Sequence, residues 1–108
     1  MGLILIKMNR IITNKLDELK TMCQKYDVKT MYVFGSVCSH KFNEQSDIDF
    51  LISFENIPYD QYTDNYFELH YELQDLFGRK VDLLTDKSLS NPYFIQSVNK
   101  NKQLIYGS

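Results

Sequence analysis

Apolar residues recur at helical spacing near the start of the chain. Ile12, Leu16, Leu19, Cys23 and Tyr26 are separated by four, three, four and three residues, while Lys15, Asp17, Glu18 and Lys20 lie off that stripe. The spacing predicts an amphipathic helix over 9–26, which Asp27 interrupts. Residues 30–34 are apolar and rich in strand formers, predicting a short buried strand that stops at Gly35. Ser36 is a good N-cap, so a short helix is expected there. Residues 39–45 are polar and read as a loop. From 47 to 54 the pattern alternates. Ile48, Phe50, Ile52 and Phe54 take one face of a strand, and Asp47, Asp49, Leu51 and Ser53 take the other.

Pro58 closes that region. Tyr62, Tyr66, Leu69, Leu73 and Leu76 then repeat the four-three spacing, predicting a second helix over 59–77 with its tyrosines in the core. Gly78 suits the left-handed residue that ends a helix. Residues 81–84 form another short strand. Asn91-Pro92 opens a last helix with Phe94, Ile95 and Val98 as its apolar residues. The order αβ(α)βαβα predicts an α/β or α+β sheet with helices packed on it. There is no internal repeat, low-complexity stretch or linker, so 9–108 reads as a single domain. Residues 1–8 read as an extra edge strand or a loose arm. Their apolar run, Gly2 to Ile6, is too short to cross a bilayer and has no basic segment before it.

Composition narrows the function. With 108 residues and 44% hydrophobic content the chain has material for one core. A net charge of −2 argues against a protein that grips nucleic acid through its phosphates. The two cysteines, Cys23 and Cys38, are too few for a zinc site or a disulfide framework. Cys23 falls on the helical stripe and reads as a buried thiol. A reducing cytoplasm suits both. His40 and His70 have no ligand-like spacing and read as surface or satisfied polar residues.

The candidate chemistry lies in three short stretches: Val33-Phe34-Gly35-Ser36, Ser46-Asp47-Ile48-Asp49-Phe50 and Lys80-Val81-Asp82-Leu83-Leu84. Gly35 lets backbone approach a phosphate, Ser36 adds a hydroxyl, and the N–H groups that follow would open a helix. Asp47 and Asp49, two apart in a strand, point the same way with Cα atoms roughly 6.6 Å apart. Bare, they repel; a divalent cation reverses that penalty. Magnesium favours a few carboxylates together with substrate phosphates. If Asp82 lies on the strand beside Asp49, three carboxylates could cradle two ions. Taken singly, a Gly-Ser is usually a turn and an Asp-x-Asp a solvated strand edge. The ordered combination points to a site for a nucleoside triphosphate with magnesium, and to in-line displacement at phosphorus.

Gly-Ser, ten residues, Asp-x-Asp and a later Asp on a strand resemble the signature of the DNA polymerase beta-like nucleotidyltransferase superfamily. The short chain resembles its minimal nucleotidyltransferase (MNT) branch over nearly its whole length. The resemblance implies an α+β nucleotidyltransferase fold of sandwich type, a small mixed sheet with helices packed against it. It implies that Gly35 and Ser36 bind triphosphate, that Asp47 and Asp49 ligate magnesium, and that Asp82 completes the triad as ligand or base. Family members transfer a nucleoside monophosphate to a hydroxyl. Many minimal members act as antitoxins, attaching AMP from ATP to a tyrosine of a HEPN-domain ribonuclease toxin. The sequence departs from the family pattern directly after Gly-Ser. Ser39 and His40 stand where active members commonly carry Arg and Gly. Lys41 is the nearest replacement for the phosphate-binding charge, though a point charge at another position is not equivalent to Arg. The complete triad favours an enzyme; the altered turn leaves open a subunit that neutralises its partner by binding alone.

Overall fold

A computed structural model describes residues 8–107 of the chain. The arm or edge strand expected over 1–8 lies outside the described residues except for Met8, which packs against the core. The expected first helix is broken in two, α1 (Arg10–Thr13) and α2 (Leu16–Lys25). Asn9 caps α1 by accepting from the Ile11 N–H at 2.9 Å. The chain tightens where Lys15 N–H donates to Ile12 carbonyl at 2.9 Å, and α2 starts afresh. Thr13 and Asn14 are weak helix formers, so the joint falls there while the apolar stripe runs on.

Strand β1 (Val28–Phe34) starts two residues earlier than the sequence pattern suggests. A 3-10 turn, Gly35–Cys38, follows it directly, so Gly35 opens the turn that Ser36 was expected to cap. Next come β2 (Ile48–Phe54), α3 (Tyr59–Phe77), β3 (Val81–Thr85), α4 (Pro92–Asn101) and β4 (Gln103–Tyr106). Gly78 ends α3 in the left-handed conformation, as its position predicts. Asn91 caps α4 by accepting from the Tyr93 and Phe94 N–H groups.

The four strands form one mixed sheet in the order β3-β2-β1-β4. β1 pairs antiparallel with β2 and with β4, and β2 pairs parallel with β3. The α+β architecture implied by the resemblance is the one observed. Strand β4 was not anticipated. It has four residues, of which Ile105 is buried, too short a run to show alternation.

The sheet has apolar residues on both faces. On one, Met31, Val33, Ile48, Phe50, Ile52 and Leu83 pack with Ile12, Leu19, Leu69 and Leu73 from α1, α2 and α3. On the other, Phe34 and Leu51 pack with Val98 of α4. Leu51 therefore shares the Asp49 face, as alternation requires, and is buried because α4 covers that part. Tyr62 and Tyr66 are half-buried rather than fully in the core; Tyr62 stacks on Phe54 with ring centroids 4.7 Å apart. Cys23 is wholly buried, donating to Met31 Sδ at 3.7 Å, and burial pushes its thiol up to about 12. Among the described residues no helix is long and apolar enough to cross a membrane.

This packing assigns α3 its energetic role. Leu69→Ala empties a fully buried position and should cost about 2–5 kcal/mol of stability. Leu104→Ala, on the exposed side of β4, should change it by no more than about 0.5 kcal/mol. Urea unfolding of the two variants checks the contrast.

Candidate active site

Strand register brings the three carboxylates to one end of the sheet. Asp49 sits opposite Asp82 in the parallel β2–β3 pair and opposite Phe34 in the antiparallel β1–β2 pair. Asp47 immediately precedes β2. The condition set by the sequence, that Asp82 lie beside Asp49, is met. Gly35 follows Phe34 and leaves the strand with φ +76°, backbone that side chains rarely adopt. A Cβ at that position would run into the Asp49 carboxylate, Oδ2 first, with Cγ at 3.3 Å. The turn and the carboxylate are thus packed backbone to side chain. The first N–H groups of a 3-10 turn have no partner within it, which makes this a place for an anion.

The carboxylates feel one another. Burial raises the Asp49 pKa to about 7, helped by a hydrogen bond to Asp82 and by the charges of Asp82 and Asp47, with Lys80 opposing. Cys38, the last residue of the turn, donates to the Val33 carbonyl at 3.5 Å; burial and the Asp49 charge push its thiol up to about 11.

Residues that the sequence did not single out hold this end of the sheet together. Lys80 Nζ lies 3.5 Å from Asp47 Oδ2 and 3.9 Å from Asp82 Oδ1. The Arg79 guanidinium donates to the carbonyls of Asn43 and Ser46, at 3.0 and 2.9 Å, and rests on the Phe42 ring. It therefore fixes the loop at the residue before Asp47. From α3, the Tyr66 hydroxyl donates to Leu83 carbonyl at 2.6 Å, and His70 Nε2 bonds Val81 carbonyl at 2.7 Å. These are the carbonyls on either side of Asp82, on the edge of β3 away from β2. Tyr66 and His70 are one helical turn apart, so one face of α3 reaches both. Tyr66 stands on the apolar stripe and His70 reads as a surface or satisfied polar residue, which its bond to Val81 agrees with, while Arg79 and Lys80 carry no signal beyond their nearness to Asp82 in the chain. Beside them opens a cavity of about 340 Å³ lined by Phe34, Asp49, Tyr66, His70, Asp82 and Phe94.

Ser36 is half-buried in the turn; Ser39 and His40 are exposed behind it, and Ser39 Oγ donates back to Ser36 carbonyl at 3.0 Å. Lys41 is exposed, with its backbone N–H donating to Ser39 Oγ, and among the described residues it pairs with none of the three aspartates. The donor set fits magnesium: three carboxylates lie together, and burial with the neighbouring acidic charges raises the pKa of one of them, Asp49. Among the described residues no three acidic, histidine or cysteine side chains close around one point as they stand. The ammonium of Lys80 lies between Asp47 and Asp82 instead.

Comparison with known proteins agrees with this geometry. Residues 17–108 match the family model described as polymerase beta, nucleotidyltransferase. A Methanocaldococcus jannaschii protein named as a protein adenylyltransferase is 39% identical over 87 residues, covering 81% of this chain and 84% of its own. The protein adenylyltransferase MntA of Thermococcus cleftensis is 34% identical, covering 82% and 84%. Among solved structures, a minimal nucleotidyltransferase superposes with a TM-score of 0.71 at 24% identity, over 85% of this chain and 90% of that one. A Shewanella oneidensis MNT antitoxin in complex with tri-AMPylated HEPN toxin gives a TM-score of 0.62 at 19% identity, over 89% and 72%. Both likenesses are of fold.

The raised Asp49 pKa has a consequence for stability without metal. The unfolded carboxyl titrates near 3.9. The folded state holds the proton more tightly, so its stabilising effect is full below about pH 4 and is lost as pH rises through about 7. In chelator, the melting temperature of Asp49→Asn should fall less than that of wild type across this range. Parallel melting curves for the two proteins would contradict the assignment.

The α3 bonds to β3 give a further expectation. Tyr66→Phe removes the donor to Leu83 carbonyl and should cost about 1 kcal/mol, read by urea unfolding.

Proposed function

The chain belongs to the polymerase beta nucleotidyltransferase family, and on that footing we propose that it transfers AMP from ATP to a hydroxyl of a partner protein. The observation that carries the reading is the pairing of Asp49 with Asp82 across β2 and β3, with Asp47 beside them and the Gly35 turn against Asp49. Relatives named as protein adenylyltransferases support the choice of AMP and of a protein acceptor. A fold neighbour solved as a toxin–antitoxin complex with AMP-PNP supports the choice of ATP.

In this reading Gly35 and Ser36 receive the triphosphate on the β1 side of Asp49. Asp47, Asp49 and Asp82 hold magnesium. Bound there, magnesium supplies countercharge to the phosphates and to the acceptor oxygen. Asp82, on the outer strand, faces the open side of the site and orients the acceptor or takes the proton from its hydroxyl oxygen. The acceptor oxygen bonds to the α-phosphorus as the bond to the β-phosphate oxygen breaks, and pyrophosphate leaves. Tyr66, His70 and Arg79 hold the carboxylate-bearing backbone in place, so little reorganisation is needed when substrates arrive.

The acceptor we assign is a tyrosine of a HEPN-type toxin, with this chain as its antitoxin. The cavity beside Asp82 is bordered by α4, where Tyr93 and Phe94 are exposed aromatic residues of the kind that protein interfaces favour. A second reading, neutralisation by binding alone, is favoured by the exposed Ser39 and His40 behind the turn, which stand where active family members commonly carry Arg and Gly.

Incubation with α-labelled ATP, magnesium and a co-purified partner separates the two. Asp47→Ala and Asp49→Ala should lower label transfer about a hundredfold or more while leaving the complex intact. Transfer by wild type no greater than by these variants would rule out the enzymatic reading. Neutralisation that survives Asp47→Ala would favour binding alone.

A further inference from the structure

Three carboxylates crowd one end of the sheet, and a single ammonium group answers them. Lys80 reaches Asp47 Oδ2 at 3.5 Å and Asp82 Oδ1 at 3.9 Å. Its backbone carbonyl accepts from the Ile48 N–H at 3.2 Å, which anchors the residue where β2 and β3 begin. Among the described residues no other basic side chain pairs with these carboxylates. The Lys80 side chain is 68% exposed, so each contact is weak and easily exchanged.

We infer that Lys80 is a built-in counter-ion that competes with a divalent cation for Asp47 and Asp82, so that the cation enters together with nucleotide rather than alone. The inference rests on the reading that these carboxylates hold the cation. An incoming divalent ion must part the ammonium from two of its three candidate ligands and then lie close to a like charge. A triphosphate changes that balance. Its oxygens give the released ammonium a new partner at the same mouth of the site, and they add ligands to the ion. The weakness of the exposed contacts is what lets the exchange happen, whereas a buried pair would hold the lysine in place.

Manganese ion is a direct probe, because its free form is counted by electron paramagnetic resonance. Without nucleotide, Lys80→Met should bind Mn²⁺ about three- to twentyfold more tightly than wild type, from removal of one nearby positive charge. Lys80→Arg should stay close to wild type. The difference should shrink as potassium chloride is added. It should also shrink when a non-hydrolysable ATP analogue is present. Lys80→Gln serves as a second neutral variant, and circular dichroism checks that each protein is folded.

Equal or weaker Mn²⁺ binding by both neutral variants overturns the inference. So does a gain that persists undiminished with the nucleotide analogue. Asp49→Asn should weaken Mn²⁺ binding in either background. If wild type takes up no Mn²⁺ even with nucleotide, the carboxylates are not the cation site and the Lys80 role falls with that reading. Tighter Mn²⁺ binding by Lys80→Met in a protein that transfers no AMP would leave the counter-ion role standing and remove the transferase reading alone.

Discussion

The active end of the molecule depends on the parallel pairing of β2 with β3. That register sets Asp49 directly beside Asp82, and like charges so placed disfavour a sheet. The pairing is held by its neighbours. Ile48 pairs with Val81 and Phe50 with Leu83, and all four side chains are buried on the opposite face under the helices. Each such burial contributes about 1.5–3 kcal/mol, more than the repulsion of two partly solvated carboxylates. The hydrophobic face therefore fixes a charge arrangement that the other face would not choose. A cation, whether from the lysine side chain or from solution, relieves a repulsion that the core has imposed.

Around that pair the fold divides its labour. Strands β2 and β3 carry Asp49 and Asp82, the 3-10 turn at Gly35 packs against Asp49, and α3 fastens the outer strand by two side-chain bonds to its backbone. The same two bonds cover carbonyls that an edge strand would otherwise leave open to another chain. Tyr66 and His70 thus tie the order of the sheet edge to the placement of Asp82. The loop before β2 is fastened separately, through Arg79. The turn, α3 and the Arg79-held loop thus bear on Asp49, Asp82 and Asp47 respectively.

Much of this was legible in the residue pattern. The bounds of α3 were read correctly because its apolar repeat is long and Gly78 marks its end. Asp47, Asp49 and Asp82 were legible because each stands at a strand that its neighbours announce. The break between α1 and α2 was hidden, since the stripe from Ile12 to Tyr26 continues across the joint at Asn14-Lys15. Strand β4 was hidden because four residues cannot display a period, and its place is decided by pairing with β1. Lys80 was hidden for another reason. Its partner Asp47 lies far back in the chain, and an ion pair of that kind exists only once the sheet has formed. The sequence offers Lys41 as a phosphate-binding charge near the turn; the fold adds a second lysine, Lys80, beside the carboxylates.

The bare α-carbon of Gly35 has an evolutionary side. It lies against the Asp49 carboxylate, yet it sits at the exposed end of β1, outside the two packed clusters. One added methyl group there would push Asp49 aside while leaving the helices and the sheet interior as they are. Under the proposed transferase reading, a catalyst and a chain that only keeps its fold would differ at this position by one methyl group, a single nucleotide change.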